Sequence, residues 1–266
     1  MMFDYNAIIQ IAEDAGLSIM EIYESTEEMK VTNKKDDSPL TQADLAAHTV
    51  ISEQLFLMYP EIPLVSEEGH RGDPNNSQYS WLVDPLDGTK EFIKRNGMFT
   101  VNIALMEKSG KRWKPVLGVV HAPATKQSWI GGNDLPAFKL DSQGKREITV
   151  NELHNEPIRI VASGSHRSEI DEKFADSIGK HELIRMGSSL KACAVAEGTA
   201  DIYPRFGPTS CWDIAAAHAV VSAAGGNILN PQGIDLDYDI VDEILNPFFI
   251  VTSNNHWAEQ WIACQD

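Results

Sequence analysis

Apolar residues recur at helical spacing near the start of the chain and predict a first helix over roughly residues 4–25. A second helix follows a polar stretch and begins near Thr41, where the segment TQAD up to Asp44 has the form of a capping box. The apolar positions are Ile8, Ile9, Ala12, Ala15, Ile19 and Ile22 in the first helix and Ala47, Val50, Ile51, Leu55 and Met58 in the second.

Apolar runs with strand character occupy the next part of the chain. They are IPLVSEEG (62–69), YSWLVD (79–84), FTVNIALM (99–106) and KPVLGVVHAP (114–123). The last two are close in sequence, which favours an antiparallel meander. Residues 131–156 are polar and rich in turn formers. They predict an excursion and a boundary between an N-terminal lobe of about 1–150 and a C-terminal lobe of about 155–266 within one domain.

The second half of the chain repeats this alternation of apolar runs and loops. IRIVASGSH (158–166) predicts a strand that leads into a loop, and SLKACAVAEGTADIYPR (189–205) predicts a helix followed by a strand. WDIAAAHAVVSAAGG (212–226) predicts a helix ended by glycines, GNILN and FFIVTSN predict late strands, and a short helix closes the chain. Strands in adjacent runs, with helices grouped around them, favour a layered α+β fold over a regularly alternating one.

Composition and charge narrow the class of protein. The chain has 266 residues, of which 42% are hydrophobic and 23% are charged, as in a globular enzyme. A net charge of -17 disfavours nucleic-acid polymers and anionic membranes as partners, so an anionic substrate would need cations or local Arg and Lys.

The expected location follows from the cysteines and the N-terminus. Three scattered Cys favour a reducing compartment, and we find neither a signal-peptide pattern nor an apolar run of membrane-spanning length. We expect a cytoplasmic protein. A peripheral position at the inner membrane and the oligomeric state, a monomer included, stay open.

Acidic residues stand at the ends of several predicted elements. Close carboxylates repel each other and raise each other's pKa unless a cation lies between them. Oxygen ligands select hard ions such as Mg²⁺, and the sequence offers no Cys and His cluster that suggests zinc. The acids are Asp44, Glu67, Glu68, Asp84, Asp87 and Asp213.

Most of these acids also have a purely structural interpretation. Asp44 completes a capping box, Glu67 and Glu68 fit a solvated loop, and Asp213 fits a helix N-cap. The segment DPLDGT (84–89) is harder to explain, because a second Asp followed by Gly and Thr exceeds the needs of one turn. It matches neither a calcium-binding EF-hand loop nor a phosphate-binding Walker loop. The spacing of its acids also excludes the Asp-x-Asp-x-Thr motif of haloacid-dehalogenase-like phosphatases.

DPLDGTKEF resembles the DP-(I/L)-DGT motif of the inositol monophosphatase superfamily, whose members are lithium-sensitive, magnesium-dependent phosphomonoesterases. SPLTQAD, SEEG and CWDIAAAHAVVSAAGG resemble its other signatures in the same order along nearly the whole chain. The resemblance implies a layered α-β-α-β-α sandwich of the inositol monophosphatase/fructose bisphosphatase type. KEF and GSSLKACAVAEGTADIYPRFGPT resemble the CysQ-type 3′(2′),5′-bisphosphate nucleotidases, which hydrolyse 3′-phosphoadenosine 5′-phosphate to AMP.

The resemblance implies two Mg²⁺ ions and a third, weaker one near Glu67. Glu67, Asp84 and the backbone carbonyl of Leu86 would hold the first ion, and Asp84, Asp87 and Asp213 would hold the second. Two bridged ions suit an in-line displacement in which a metal-activated water attacks the phosphate.

Thr89, oriented by Asp44, would orient or deprotonate that water together with Glu67. The backbone N–H groups of Gly88 and Thr89 would cradle the phosphate. Residues expected to touch the substrate around the reacting phosphate are therefore Glu67, Leu86, Asp87, Gly88, Thr89 and Asp213.

For the nucleotide, the resemblance implies contacts from His166, Ser188, Lys191 and Arg205. A loop His and a helix Lys are also common as solvated residues, so both interpretations stay open for His166 and Lys191. Trp212 is expected to pack beneath Asp213.

Two alternative functions remain. An inositol or other sugar monophosphatase would share every metal ligand, and YPRFGPT and GSSLK argue against it. A non-catalytic metal-binding or scaffold protein would not need the water-orienting Thr89 or a phosphate cradle.

Overall fold

The computed structural model describes residues 3–25, 31–33, 39–152, 156–162, 169–253 and 256–265. The helices are α1 (Tyr5–Glu24), α2 (Gln42–Met58), α3 (Thr89–Ile93), α4 (Glu169–Ile178), α5 (Leu190–Ala196), α6 (Cys211–Ala223) and α7 (His256–Ala263), with a short 3₁₀ turn at Pro74–Asn76. Across these described segments, no helix is both long enough and apolar enough to cross a bilayer.

The strands form three sheets. They are β1 (Val31–Asn33), β2 (Pro39–Thr41), β3 (Leu64–Ser66), β4 (Gly69–Arg71), β5 (Tyr79–Asp87), β6 (Thr100–Ser109), β7 (Arg112–Ala122), β8 (Gln127–Gly132), β9 (Leu135–Asp141), β10 (Gly144–Glu147), β11 (Ile158–Ala162), β12 (His181–Arg185), β13 (Ile202–Arg205), β14 (Asn227–Leu229) and β15 (Phe249–Thr252). The first large sheet has the order β10-β9-β8-β7-β6-β5-β3-β4, and the second has the order β12-β11-β13-β15-β14. Strands β6 and β7 form the predicted antiparallel pair, and the meander they belong to runs from β5 to β10.

Side-chain alternation along the strands divides the interior into three cores. In β5, Trp81 and Val83 pack toward α1 and α2, whereas Leu82 packs toward α5 and α6. The core that contains Leu82, α5 and α6 is the middle core. In β15, Val251 belongs to this middle core, and Ile250 packs on the other face against α7. The layers therefore run α1/α2, first sheet, α5/α6, second sheet, α4/α7, and the predicted α-β-α-β-α sandwich is confirmed.

The capping box at the start of α2 is present as predicted. The Thr41 backbone N–H and hydroxyl donate to Asp44 Oδ2 at 2.8 and 2.6 Å, and Ala43 N donates to Thr41 Oγ1 at 3.2 Å. These bonds satisfy donors that the first helical turn leaves without partners.

The prediction of an excursion over residues 131–156 is wrong in its first part. Residues 135–147 form the hairpin β9–β10, which extends the first sheet to its edge. All four residues of β10 are exposed, so this edge strand needs no apolar pattern and resembles a loop in sequence. The stretch between the two large sheets is limited to residues 148–157.

Candidate active site

Three carboxylates meet where the first sheet adjoins the middle helices. Asp84 and Asp87 lie in the last part of β5, and Asp213 lies in the first turn of α6. One oxygen from each of the three lies within 4.8 Å of the others. The β5–β6 register is irregular between Asp84 and Asp87, which brings two acids three residues apart to the same place.

The electrostatics of this cluster are unfavourable for carboxylates alone. Asp84 is only 2% exposed, and burial, followed by the charges of Glu67, Asp87 and Asp213, raises its pKa well above the ordinary value. Burial and the charge of Asp87 raise the pKa of Asp213 to about 8. A divalent cation would remove this repulsion, and the donor set consists of the oxygens that such ions prefer. The residues present therefore fit a divalent metal site.

Glu67 and Leu86 complete the surroundings of Asp84. Glu67 follows β3 and is fixed by a bond from its backbone N to the Val83 carbonyl at 3.1 Å, and its carboxyl is hydrogen-bonded to that of Asp84. Leu86 is buried, and its N–H donates to Asp84 Oδ1 at 3.1 Å. The structure thus brings Glu67 to the cluster.

Asp44 serves the helix cap and also reaches the site. Its Oδ2 accepts the cap bonds from Thr41, while its Oδ1 accepts the Thr89 hydroxyl at 3.3 Å. The same hydroxyl lies 3.4 Å from the Leu86 carbonyl. The structural and functional interpretations of Asp44 are therefore compatible.

The turn before Thr89 requires glycine. Gly88 has φ 92°, in the left-handed region, and a Cβ at this position would lie 3.0 Å from the Met98 carbonyl oxygen. The turn starts α3 at Thr89 and places this segment at the wall of the neighbouring cavity.

A cavity of about 320 Å³ opens beside the carboxylates. Three cationic side chains, Lys90, Lys191 and Arg205, line it. Lys191 is 8% exposed, its Nζ donates to the Ser188 carbonyl at 2.6 Å, and burial lowers its pKa to about 8. Arg205 Nη2 donates to the Pro208 carbonyl at 2.8 Å, and its buried Nε has no hydrogen-bond partner among the described residues. The lining is Asp87, Gly88, Lys90, Glu91, Gly187, Ser188, Ser189, Lys191, Tyr203, Arg205, Thr209, Asp213, Ile214 and Phe249.

Comparison with known proteins shows the family of the chain. Residues 3–263 match the profile of the inositol monophosphatase family. The chain belongs to the inositol monophosphatase family. It is 47% identical over 251 residues to the 3′(2′),5′-bisphosphate nucleotidase CysQ of Salmonella typhimurium, a match that covers 92% of this chain and 98% of that protein. The corresponding CysQ of Haemophilus influenzae is 32% identical over 254 residues, with coverage of 94% and 92%.

Solved structures of the family share the fold. CysQ from Bacteroides thetaiotaomicron has a TM-score of 0.80 and 37% identity, covering 95% of this chain and 98% of that one. The extragenic suppressor protein suhB of Bartonella henselae has a TM-score of 0.82 and 25% identity, with 98% of both chains covered.

The remaining predicted residues divide by their placement. Ser188 lines the cavity, but its hydroxyl donates to Asp87 Oδ2 at 2.6 Å, so it contacts a candidate metal ligand directly. His166 lies outside the described residues. Trp212 is 9% exposed in the middle core, next to Asp213, as the packing prediction requires.

Other residues at the site did not emerge from the sequence. Glu91, Tyr203 and Thr209 line the cavity, and Asn102 lies buried beneath the carboxylates. Asn102 did carry a signal, because it is a polar residue within the apolar run FTVNIALM.

Proposed function

We propose that the chain is a magnesium-dependent phosphomonoesterase that hydrolyses 3′-phosphoadenosine 5′-phosphate to AMP and phosphate. The observation that carries the proposal is the cluster of Asp84, Asp87 and Asp213 beside a cavity whose cationic lining includes Lys191 and Arg205. The relatives named 3′(2′),5′-bisphosphate nucleotidase CysQ match across most of the chain and support this activity.

The proposed ligands for two Mg²⁺ ions are Glu67, Asp84 and the Leu86 carbonyl on one side and Asp84, Asp87 and Asp213 on the other. A third, weaker ion near Glu67 is part of the same proposal. When bound, such ions offset the negative charge of a phosphate and lower the pKa of a water molecule.

Thr89 and Asp44 would orient the attacking water. The Thr89 hydroxyl donates a hydrogen bond to Oδ1 of the buried Asp44 at 3.3 Å. Its oxygen lone pairs then remain as acceptors for an O–H of water, while Glu67 is the proposed acceptor of the proton. The backbone N–H groups of Gly88 and Thr89 are the proposed contacts for the phosphate itself.

Lys191 and Arg205 would bind the second phosphate of the nucleotide. A buried ammonium and a guanidinium with a buried N–H suit an anion, because an unpaired buried donor is costly. These two cations explain how a chain with net charge -17 could hold an anionic substrate. Ser188 and His166 stay in the proposal as nucleotide contacts on the resemblance alone.

The wider organisation is proposed on the same basis. The chain would form a single phosphatase domain with lobes of about 1–150 and 155–266. Its partner would be a small bisphosphate nucleotide. The cysteines Cys193, Cys211 and Cys264 are free and buried, which suits the proposed cytoplasmic location.

Phosphate release tests the proposed function and its nearest alternative, a sugar monophosphatase. The assay compares 3′-phosphoadenosine 5′-phosphate with inositol 1-phosphate, each with Mg²⁺ and with chelator. We expect magnesium-dependent release chiefly from the nucleotide. Preference for the inositol ester would overturn the assignment of Lys191 and Arg205, and the absence of turnover with either substrate would favour a non-catalytic protein.

A further inference from the structure

Four polar side chains, three of them buried, form a network beneath the carboxylates. We name it the Asn102 network; its members are Thr100, Asn102, Ser188 and Ser189. Thr100 and Asn102 lie on β6, where they stand opposite Asp87 and Asp84 in the strand register. Ser188 and Ser189 precede α5 in the middle layer. The network therefore joins the first sheet to the middle helices at the site itself.

The polar contacts of the network are short. Thr100 Oγ1 lies 2.9 Å from Asn102 Oδ1 and 2.5 Å from Ser188 Oγ. Asn102 Nδ2 donates to Ser189 Oγ at 2.9 Å. The network reaches two residues with candidate ligands: Ser188 Oγ lies 2.6 Å from the Asp87 carboxylate oxygen Oδ2, and Ser189 Oγ donates to the main-chain carbonyl of Asp213 at 2.6 Å. Ser189 Oγ is also 3.3 Å from Asp87 Oδ2.

Because most of the network is buried, the loss of one of its hydrogen bonds would leave a polar group without a partner. Thr100, Asn102 and Ser189 are each at most 2% exposed, and the neighbours of Asn102 on β6 are apolar. An amide in such a place is costly unless both of its groups are paired. Here Oδ1 faces Thr100 and Nδ2 faces Ser189, so the amide is held in one orientation.

Two serines before α5 depart from the usual backbone and capping geometry while their hydroxyls belong to the network. Ser189 stands at the N-cap of α5, where a serine normally bonds the first turn, yet its hydroxyl makes no cap bond. Ser188 has φ 54°, a left-handed conformation that non-glycine residues seldom adopt. Both serines instead direct their hydroxyls to Asp87 and Asp213, and strain of this kind is common at functional sites.

The proton donors fix the direction of the hydrogen bonds at Ser189. The Asp213 carbonyl can only accept, so the Ser189 proton goes to it, and Asn102 Nδ2 must then donate to Ser189. The hydroxyls of Thr100 and Ser188 supply two protons for three contacts, with Asn102 Oδ1, with each other and with Asp87 Oδ2, so two of these contacts are hydrogen bonds at any one time. Both hydroxyl contacts that the network makes with Asp87 are with Oδ2.

We infer that Asn102 and Ser189 are positioning residues for the metal site, an inference that rests on the proposed function. Asn102 holds Ser189, which bonds the main-chain carbonyl of Asp213 in the first turn of α6, and the adjacent Ser188 contacts Asp87 on β5. The network sets the separation between two ligands that come from different layers. Hydrogen-bond partners behind metal ligands typically change metal affinity by about 10- to 100-fold when they are removed.

Metal binding without substrate provides the test. MnCl₂ is titrated into nucleotide-free protein, and free Mn²⁺ is followed by electron paramagnetic resonance. The first variant is Ser189→Ala, which removes the hydroxyl oxygen. The second is Asn102→Leu, which removes both hydrogen bonds of the side-chain amide and keeps a side chain of similar volume. The matched control is Ser80→Ala on β5. The Ser80 hydroxyl is fully buried and bonded to the Pro63 carbonyl at 3.2 Å, away from the network.

We expect the Kd of at least one Mn²⁺ to rise by about tenfold or more in Ser189→Ala and Asn102→Leu and to stay unchanged in Ser80→Ala. In turnover assays, the Mg²⁺ concentration for half-maximal rate should rise in the same two variants, while KM for the nucleotide at saturating Mg²⁺ stays unchanged.

Wild-type Mn²⁺ affinity in the two variants would overturn the inference and leave the proposed function intact. Equal weakening in Ser80→Ala would show a general stability effect and would also overturn it. Wild-type protein that binds no Mn²⁺ would instead refute the proposed function on which the inference rests. If Asn102→Leu does not fold, the smaller Ser189→Ala change decides the outcome.

Discussion

Replacement of Asp213 by asparagine is expected to stabilise the metal-free protein while it abolishes turnover. Burial and the charge of Asp87 raise the pKa of the Asp213 carboxyl from 3.8 to about 8. Between these two pH values the folded state binds more protons than the unfolded state, so stability falls as pH rises through this window. Asparagine carries no charge at any of these pH values, yet its side-chain oxygen can still accept the cap bond from Ser210 N, which Asp213 Oδ2 accepts at 2.9 Å.

The magnitude follows from the spacing of the carboxylates. One oxygen from each carboxylate lies within 4.8 Å of the others, and two unit charges at about that separation repel each other by ~3 kcal/mol at an effective dielectric constant of about 20. Asp87 is the largest charge acting on Asp213. We therefore expect Asp213→Asn to gain about 3 kcal/mol in free energy of unfolding near pH 8 without metal. The gain should shrink toward about pH 5, where the wild-type carboxyl is protonated in the folded state.

Urea unfolding in chelator, at both pH values, measures this gain. Asp134→Asn, on an exposed turn between β8 and β9, is the matched control and should behave as wild type. With metal at about 100 times its Kd, wild-type protein should gain ~2.7 kcal/mol, and Asp213→Asn should lose most of that gain. An Asp213→Asn protein that is less stable than wild type in chelator near pH 8 would refute the reasoning from charge repulsion.

Three further changes test other parts of the molecule. Arg205→Ala should raise KM for the bisphosphate nucleotide more than for a small phosphomonoester, and equal effects would argue against a nucleotide contact. Asp44→Asn should lower kcat by about tenfold or more with little change in KM, because the Thr89 hydroxyl loses its carboxylate; unchanged kcat would contradict this role. Gly16→Ala should lower the free energy of unfolding by about 1–3 kcal/mol, since its Cβ would lie 2.7 Å from His121, and wild-type stability would show that the ring can move away.

Much of the fold could be predicted from the sequence where an element buries a clear pattern of apolar residues. Helices α1 and α2 each carry a buried apolar stripe, and α2 begins with a capping box. The strands from β5 to β7 are apolar runs between turns. The hairpin β9–β10 and strand β12 were not predicted, because they lie at sheet edges where few residues are buried. Helix α4 also escaped prediction, since it begins with acids and buries only Phe174, Ala175 and Ile178.

The candidate site was predictable where its residues are neighbours in the chain. Asp84, Asp87 and Thr89 share one motif, so the sequence already displays their association. The contribution of Asn102 depends on the β5–β6 register and on the approach of Ser189 from another layer. Such contacts arise from the tertiary fold, and a polar residue within an apolar strand is their only trace in the sequence.

Crystals soaked in Mn²⁺ would test the central claim most directly, because the anomalous scattering of the ion reports its position independently of turnover. The account predicts anomalous difference peaks in contact with the carboxylates of Asp84, Asp87 and Asp213. Peaks confined to other parts of the molecule, with these carboxylates free of metal, would contradict it.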